Sequence, residues 1–284
     1  MEGPRVQALP GGRLHLQHGP IDVVLRAYGA DAAVAQAHRA AERRFAPLLG
    51  ELAAELSELR KPMSAQPRVE GAVARRMVAA CRPHRVFITP MAAVAGAVAD
   101  ELIAAMREAA PLDKAFVNDG GDIALHLTEG ETLTVGVAGD FSRGPVPALN
   151  GRVTLSHADG IFGIATSGRQ GRSFSLGIAD SVTVLARDAA GADAAATLIA
   201  NAVDLPGHPG IRRAPAISLD PDSDLGEHLV TVAVAPLPPD AVAQALAAGR
   251  ARAAALRAAG LIRDAALSLQ GETVTLGILR EIRP

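Results

Sequence analysis

The sequence has no tryptophan, one tyrosine and one cysteine among its 284 residues. Aromatic residues make up 2%, so platforms on which nucleic-acid bases could stack are scarce. The net charge of −2 gives no electrostatic case for nucleic-acid binding either. We therefore expect no nucleic-acid partner, and any flat ring ligand would be held mostly by backbone and aliphatic groups.

The single cysteine excludes an internal disulfide framework and suggests a reducing compartment. Residues 1–5 contain no apolar signal core, and no uninterrupted apolar run reaches ~18 residues, the length of a membrane-spanning helix. The expectation is a soluble, cytoplasmic protein with no membrane partner. Apolar residues make up 49%, which is ample for a substantial core and favours self-association as a homodimer.

Helical and strand patterns form separate runs along the chain. Helices are predicted from residue 31 to an interruption before Pro47, then over 48–59, 69–80, 92–109, 193–203 and 240–259. Strands are predicted over 13–17, 21–27, 115–117, 123–127, 132–137, 152–155, 161–166, 182–186, 228–235, 265–269 and 273–278. A short extended piece is predicted over 85–88, and a loop over 205–215. These runs favour an α+β fold, with antiparallel or mixed sheets and peripheral helices, in a single domain over 1–284.

The first candidate ligand motif is Asn118-Asp119-Gly120-Gly121-Asp122. One interpretation is a β-hairpin turn, because Asp-Gly is a strong hairpin signal. The other is a ligand loop, in which glycine N–H groups face a ligand and the Asn and Asp side chains add polar selectivity. The motif lacks the Walker A pattern, and a strand follows where a Rossmann turn requires a helix. Both interpretations stay open.

The second motif is Thr166-Ser167-Gly168-Arg169-Gln170-Gly171-Arg172. Arg169 and Arg172 are candidates to hold phosphates, with the Ser167 hydroxyl as a further donor. The alternative is a surface turn whose arginines are solvated.

The third motif opens the apolar helix predicted to start at Asp193. Asp193 and Thr197 are four residues apart, so their side chains share one helix face, which Asn201 extends by another turn. A carboxylate and a hydroxyl are hard oxygen ligands suited to Mg²⁺, with ligand phosphates supplying further negative charge. The alternative is a plain helix start, where the helix dipole favours an acidic residue and Thr bonds back to a carbonyl.

Cys81 is the remaining candidate for chemistry. It precedes Arg82, His84 and Arg85, and cationic neighbours of this kind lower the pKa of a thiol and make it nucleophilic. The alternative is an inert small apolar residue in the core.

The motifs in this order resemble the ApbE superfamily, whose best-known members are flavin transferases that move FMN from FAD onto proteins. Four segments carry the resemblance, over roughly residues 85 to 205: Ala95-Gly96-Ala97-Val98-Ala99-Asp100, Asn118-Asp119-Gly120-Gly121-Asp122-Ile123, Thr166-Ser167-Gly168, and Ala192-Asp193 with Thr197. The resemblance implies that Asp193 and Thr197 bind Mg²⁺ and that the glycine motif contacts the nucleotide of FAD or FMN.

The sequence departs from that family at two positions that matter for transfer. Ala95 stands where the family has Lys, and residues 172–180 replace the family's segment containing His-Ile-Ile-Asp-Pro. These departures resemble a shorter, cytoplasmic branch of ApbE-like proteins. Members of that branch have been linked to homocysteine formation in anaerobic sulfur assimilation.

Three functions therefore compete. The first is a Mg²⁺-dependent flavin- or nucleotide-binding enzyme of the transferase type, with altered or lost FMN transfer. The second is a non-catalytic module that binds a small ligand. The third is a sulfur-metabolism enzyme or accessory protein in which Cys81 carries a persulfide.

Overall fold

The computed structural model describes residues 3–140, 148–171 and 173–277, with the side chains of 137–140 and 148–151 left aside. Its strands are β1 (Arg5–Leu9), β2 (Arg13–His18), β3 (Ile21–Tyr28), β4 (Lys114–Asp119), β5 (Asp122–Leu127), β6 (Thr132–Asp140), β7 (Ala148–Ser156), β8 (Gly163–Ser167), β9 (Ser181–Ala186), β10 (Ile211–Pro215), β11 (Leu229–Val234), β12 (Asp264–Leu269) and β13 (Glu272–Thr275). Its α-helices are α1 (Asp31–Ala54), α2 (Leu56–Leu59), α3 (Ala72–Cys81), α4 (Val94–Ala109), α5 (Ala189–Ala202), α6 (Ala216–Leu219) and α7 (Pro239–Ala258). The predicted α+β class with antiparallel sheets is confirmed.

The chain divides into two compact units. Unit 1 comprises Met1–Leu133, Leu155–Ala165 and Ala186–Asp193, and unit 2 comprises Thr134–Thr154, Thr166–Leu185 and Ala194–Pro284. The single domain over 1–284 stays a prediction.

Unit 1 is built on antiparallel strands in the order β1, β2, β3, β4, β5 and β8, with helices α1, α3 and α4 packed together. Alternating side chains of β3 are buried, as expected for a strand with one face on the core. Helix α4 packs on both β4 and β5. It therefore lies directly over the strands that flank the glycine motif.

Unit 2 contains the antiparallel set β9, β12 and β13, with α7 packed on β12 and β13. All six residues of β9 and of β12 are buried, so these strands lie inside the unit. Two further two-stranded sheets, β10–β11 and β6–β7, belong to the same unit.

Several predicted boundaries are wrong. Helix α1 continues through Pro47, where the sequence predicted an interruption. Pro47 and Arg43 are both exposed, so water can bond to the Arg43 carbonyl that the proline leaves without a donor. The buried side chains of Phe45 and Leu48 on either side of the proline keep the helix packed on the core.

Two other segments also differ from the prediction. Residues 85–88 form no strand, and the Ile88 carbonyl instead accepts a hydrogen bond from the Met63 N–H at 2.9 Å. The predicted loop 205–215 contains strand β10, which pairs with β11. Both errors concern short segments whose conformation depends on partners far away in sequence.

Candidate functional site

The glycine motif forms the turn of the β4–β5 hairpin. Asp119 pairs with Asp122 across the ladder, and Gly120 and Gly121 fill the two-residue turn with φ of +63° and +115°. Positive φ at both central positions is what such a hairpin turn requires, and glycine adopts it at little steric cost, so the turn itself accounts for both glycines. The Asn118 Oδ1 accepts the Gly121 N–H at 2.8 Å and closes the turn. The hairpin interpretation is confirmed, and contact with a ligand stays a prediction.

The two acidic residues of this hairpin differ in exposure. Asp119 is 4% exposed, and its Oδ1 accepts the backbone N–H of Asp22 at 3.3 Å. Asp122 is half-buried. The hairpin therefore presents one buried and one partly accessible carboxylate.

Asp193 lies near these carboxylates within unit 1. Its half-buried side chain accepts the Gly96 N–H on Oδ2 at 3.1 Å. Burial raises the pKa of the Asp193 carboxyl well above its usual range, and the negative charges of Asp122, Asp119 and Asp100 raise it further. The described residues thus concentrate negative charge around Asp193, whose carboxylate is held by the Gly96 N–H.

The helix that carries Asp193 starts earlier than the sequence predicted. Helix α5 begins at Ala189, so Asp193 lies in its second turn, and the simple helix-start explanation for this acidic residue is wrong. Asp188, the residue just before the helix, is its N-cap, because its Oδ1 accepts the Gly191 N–H at 2.7 Å. An Asp just before an apolar helix is a recognisable capping signal, which the sequence analysis missed.

Thr197 and Asn201 follow on the same face of α5, as predicted. Both side chains are half-buried. The Asn201 Oδ1 accepts the Leu176 N–H at 3.0 Å, so this amide has a structural role within unit 2.

The Ser167-Gly168 turn is stabilised from within unit 2. The Thr166 hydroxyl bonds to the Thr183 hydroxyl at 2.9 Å. Gly168 has φ of +154°, and a Cβ there would lie 2.5 Å from the Asp180 carbonyl oxygen. The Arg169 guanidinium pairs with the Asp180 carboxylate at 2.5 Å. This cation therefore helps to hold the turn, and its binding to phosphate stays a prediction. Arg172 lies outside the described residues.

Of the two interpretations of Cys81, a thiol with a lowered pKa is wrong, and a small residue buried in the core agrees with the structure. Cys81 is fully buried, and its Sγ donates to the Thr89 carbonyl at 3.4 Å. Burial raises the pKa of this thiol, and the charge of Asp193 raises it further. The cationic residues that follow Cys81 in sequence do not offset burial, because the thiol points into the core. A catalytic role for Cys81 stays a prediction, without the predicted activation.

No three His, Cys, Asp or Glu side chains come together as a metal-binding group among the described residues. The donor set nevertheless suits a cation that takes few protein ligands. Mg²⁺ commonly uses one or two carboxylates and completes its shell with water and ligand phosphates. Asp193 supplies such a carboxylate, in surroundings whose mutual repulsion a cation would relieve.

A groove of about 900 Å³ in unit 2 is lined by none of the predicted site residues that the structure describes. It is formed by α7 and β13, and its lining includes Ala243, Leu246, Arg250, Glu272 and Val274. No helix in the described part of the chain is both long and apolar enough to cross a membrane.

A protein-family model described as "AbpE bacteria" matches residues 6–275. The chain belongs to this family. The resemblance to ApbE-like proteins is thereby confirmed at the level of the family. The matched range includes residues of both units.

The chain is also similar to curated relatives. A UPF0280 protein of Methanothrix thermoacetophila is 43% identical over 125 residues, which cover 43% of this chain and 50% of the relative. A UPF0280 protein of Methanopyrus kandleri is 40% identical over 136 residues, covering 47% and 51%. The chain thus spans about half the length of the curated relatives it matches.

Among solved structures, the chain is similar to the apo form of the Pseudomonas stutzeri flavinyl transferase ApbE. The alignment covers 99% of this chain and 98% of that one, with 12% sequence identity and a TM-score of 0.41.

Proposed function

We propose that this AbpE-family chain binds a flavin nucleotide together with Mg²⁺, and that its FMN-transfer chemistry is altered or lost. The observation that carries the proposal is the charge around Asp193. Its carboxylate lies among the charges of Asp119, Asp122 and Asp100, and these raise its pKa. A bound divalent cation would reduce the repulsion among these carboxylates.

In this proposal Asp193 holds the cation through a carboxylate oxygen, and Thr197 stays a predicted ligand. Bound Mg²⁺ would neutralise the phosphates of the nucleotide. The β4–β5 hairpin contributes Asp119 and Asp122 as the acidic side of the site. The Asn118 Oδ1 accepts the Gly121 N–H at 2.8 Å, so in this proposal Asn118 stabilises the hairpin turn.

The departures from the transferase pattern support altered chemistry. Ala95, half-buried on α4, stands at the family Lys position, so it offers no charged or nucleophilic group there. The same observation favours the second candidate, a non-catalytic module that binds the ligand without turnover. The persulfide function gains no support from Cys81, whose thiol is buried and has a raised pKa.

The test is a titration of the purified chain with FAD by calorimetry and flavin fluorescence, with Mg²⁺ or with EDTA. Asp193→Asn keeps the shape of the side chain and removes its charge, so we expect it to weaken Mg²⁺-dependent binding at least about tenfold. Asp240→Asn, an exposed acidic residue in the first turn of α7, is the matched control and should bind as wild type does.

Failure of the wild type to bind FAD in the presence of Mg²⁺ would rule the proposal out. Binding without nucleotide turnover would support the non-catalytic module, and turnover lost in Asp193→Asn would support the enzyme.

A further inference from the structure

The start of helix α5 is held by a buried carboxylate from another helix. Asp100, on α4, is 8% exposed. Its Oδ1 accepts the N–H of Ala189 at 3.0 Å, and its Oδ2 accepts the N–H of Ala190 at 2.9 Å. Both donors belong to the first turn of α5, whose N–H groups have no partner inside their own helix. Asp100 therefore caps α5 from outside.

Two glycines allow the backbone of α5 to approach this closely. A Cβ at Gly96 would lie 2.3 Å from the Ala189 carbonyl oxygen, and a Cβ at Gly163 would lie 2.0 Å from the Asp188 carbonyl oxygen. These are backbone contacts, which no side-chain rotation can relieve. The start of α5 is thus fixed by α4 through Gly96 and by β8 through Gly163.

Helix α4 also bonds directly to the side chain of Asp193. Gly96 lies four residues before Asp100, and its N–H donates to the Asp193 Oδ2 at 3.1 Å. Asp193 in turn lies four residues after Ala189, one turn along α5. Helix α4 therefore bonds to α5 in two places. Asp100 bonds to the backbone of the first turn of α5, and Gly96 bonds to the Asp193 side chain one turn later.

We propose that Asp100 is a positioning residue for Asp193: by capping α5 it keeps the Asp193 carboxylate against Gly96 and so sets the affinity of the ligand site. The ligand part of this inference rests on the proposed function. Asp100 acts through the backbone of Ala189 and Ala190 and need not touch a ligand. Groups of this kind, which orient a ligating residue, typically change metal affinity by 10–100-fold when they are replaced.

The decisive variant is Asp100→Asn, which has almost the same shape but carries one oxygen and one NH₂ group. Asn can accept from only one of the two N–H groups, and its NH₂ would face the other donor. The matched control is Asp188→Asn, which removes one carboxylate charge at the same helix start while its amide oxygen can still accept the Gly191 N–H.

The first readout needs no ligand. The Gly96 amide is bonded to Asp193, so its hydrogen exchange, followed by NMR on the full chain, reports whether that bond persists. We expect Asp100→Asn to speed exchange at Gly96 by about tenfold or more relative to amides in the middle of α4. Asp188→Asn should leave that ratio unchanged. An unchanged ratio in Asp100→Asn would overturn the inference.

The second readout is the Kd for FAD with Mg²⁺, measured well below the melting temperature of the weakest variant. Asp100→Asn should weaken binding by about 10-fold or more, and should add nothing to Asp193→Asn. An additive loss would mean that Asp100 does not act through Asp193. If the wild type binds no FAD, the proposed function fails, and the Gly96 exchange alone decides whether Asp100 positions Asp193.

Discussion

Replacing Gly96 by Ala should destabilise the chain because it separates α4 from α5. A Cβ at this position would lie 2.3, 2.5 and 2.7 Å from the Ala189 oxygen, the Ala189 carbonyl carbon and the Ala190 nitrogen. Ordinary contacts begin near 3.4 Å, so the start of α5 would have to move by about 1 Å. That movement would also strain the two hydrogen bonds from Ala189 and Ala190 to Asp100.

The expected magnitude follows from two opposing terms. Ala is favoured over Gly within a helix by about 1 kcal/mol, which would stabilise the variant. Overpacking costs about 1–3 kcal/mol in a typical core, and rigid backbone neighbours place this site at the upper end or beyond. The net expectation is a loss of about 2 kcal/mol or more.

Two other helical glycines provide matched comparisons. Gly50 in α1 has no atom within 4 Å of the added Cβ, so Gly50→Ala should stabilise the chain by about 0.5–1 kcal/mol. Gly249 in α7 would meet Val203 Cγ2 at 2.3 Å and Leu267 Cδ2 at 2.8 Å. Because these side chains can partly move away, the free energy of unfolding of Gly249→Ala should lie between those of Gly50→Ala and Gly96→Ala.

Urea unfolding followed by circular dichroism at 222 nm measures the three free energies, provided that the m-values agree. The predicted order of stability is Gly50→Ala, then Gly249→Ala, then Gly96→Ala. A Gly96→Ala midpoint equal to or above that of Gly50→Ala would refute the close packing of α4 on α5.

Three further predictions concern titratable groups. Burial raises the pKa of Asp100 to about 6, from 3.8, so the folded state holds this proton more tightly. The measured quantity is the free energy of unfolding of the wild type minus that of Asp100→Asn. This difference should fall as the pH rises from about 4 to 6, by at most about 1.4 kcal/mol per pH unit, and then level off. A difference that does not change with pH would contradict this prediction. The Cys81 thiol should react with a disulfide reagent far more slowly in the native chain than in urea, and equal rates would show that it is accessible. The Glu101 carboxylate accepts hydrogen bonds from Arg44 at 2.8 Å and from Arg76 at 2.9 Å. Glu101→Gln should therefore lower the free energy of unfolding in urea by about 1–3 kcal/mol. A decrease below about 0.5 kcal/mol would show that these ion pairs contribute little to stability.

Some of the candidate site could be predicted from residues close together in sequence. Asp119-Gly120 indicated a hairpin turn as one of two interpretations, because Asp-Gly is a strong hairpin signal. The four-residue spacing of Asp193 and Thr197 predicted a shared helix face. The predicted helix start, Asp193, lies four residues after the observed start at Ala189, although Asp188 is a typical capping residue.

Other features depended on contacts between distant parts of the chain. Gly96 and Asp193 are 97 positions apart, and Asp100 and Ala189 are 89 apart. No local pattern specifies such pairs, because they arise only when α4 packs against the start of α5. The same holds for Arg169, which sequence analysis treated as a free cation and which pairs with Asp180.

The sequence by itself determined the α+β class, the order of the motifs and the family, because these follow from local periodicity, turn chemistry and residue spacing. The tertiary structure decided the electrostatics. It buried Cys81 and raised the pKa of its thiol, whereas its sequence neighbours suggested the opposite. It also placed Asp193 among other carboxylates. The physical reason is that a pKa depends on desolvation and on charges nearby in space, and only the packed chain defines either of them.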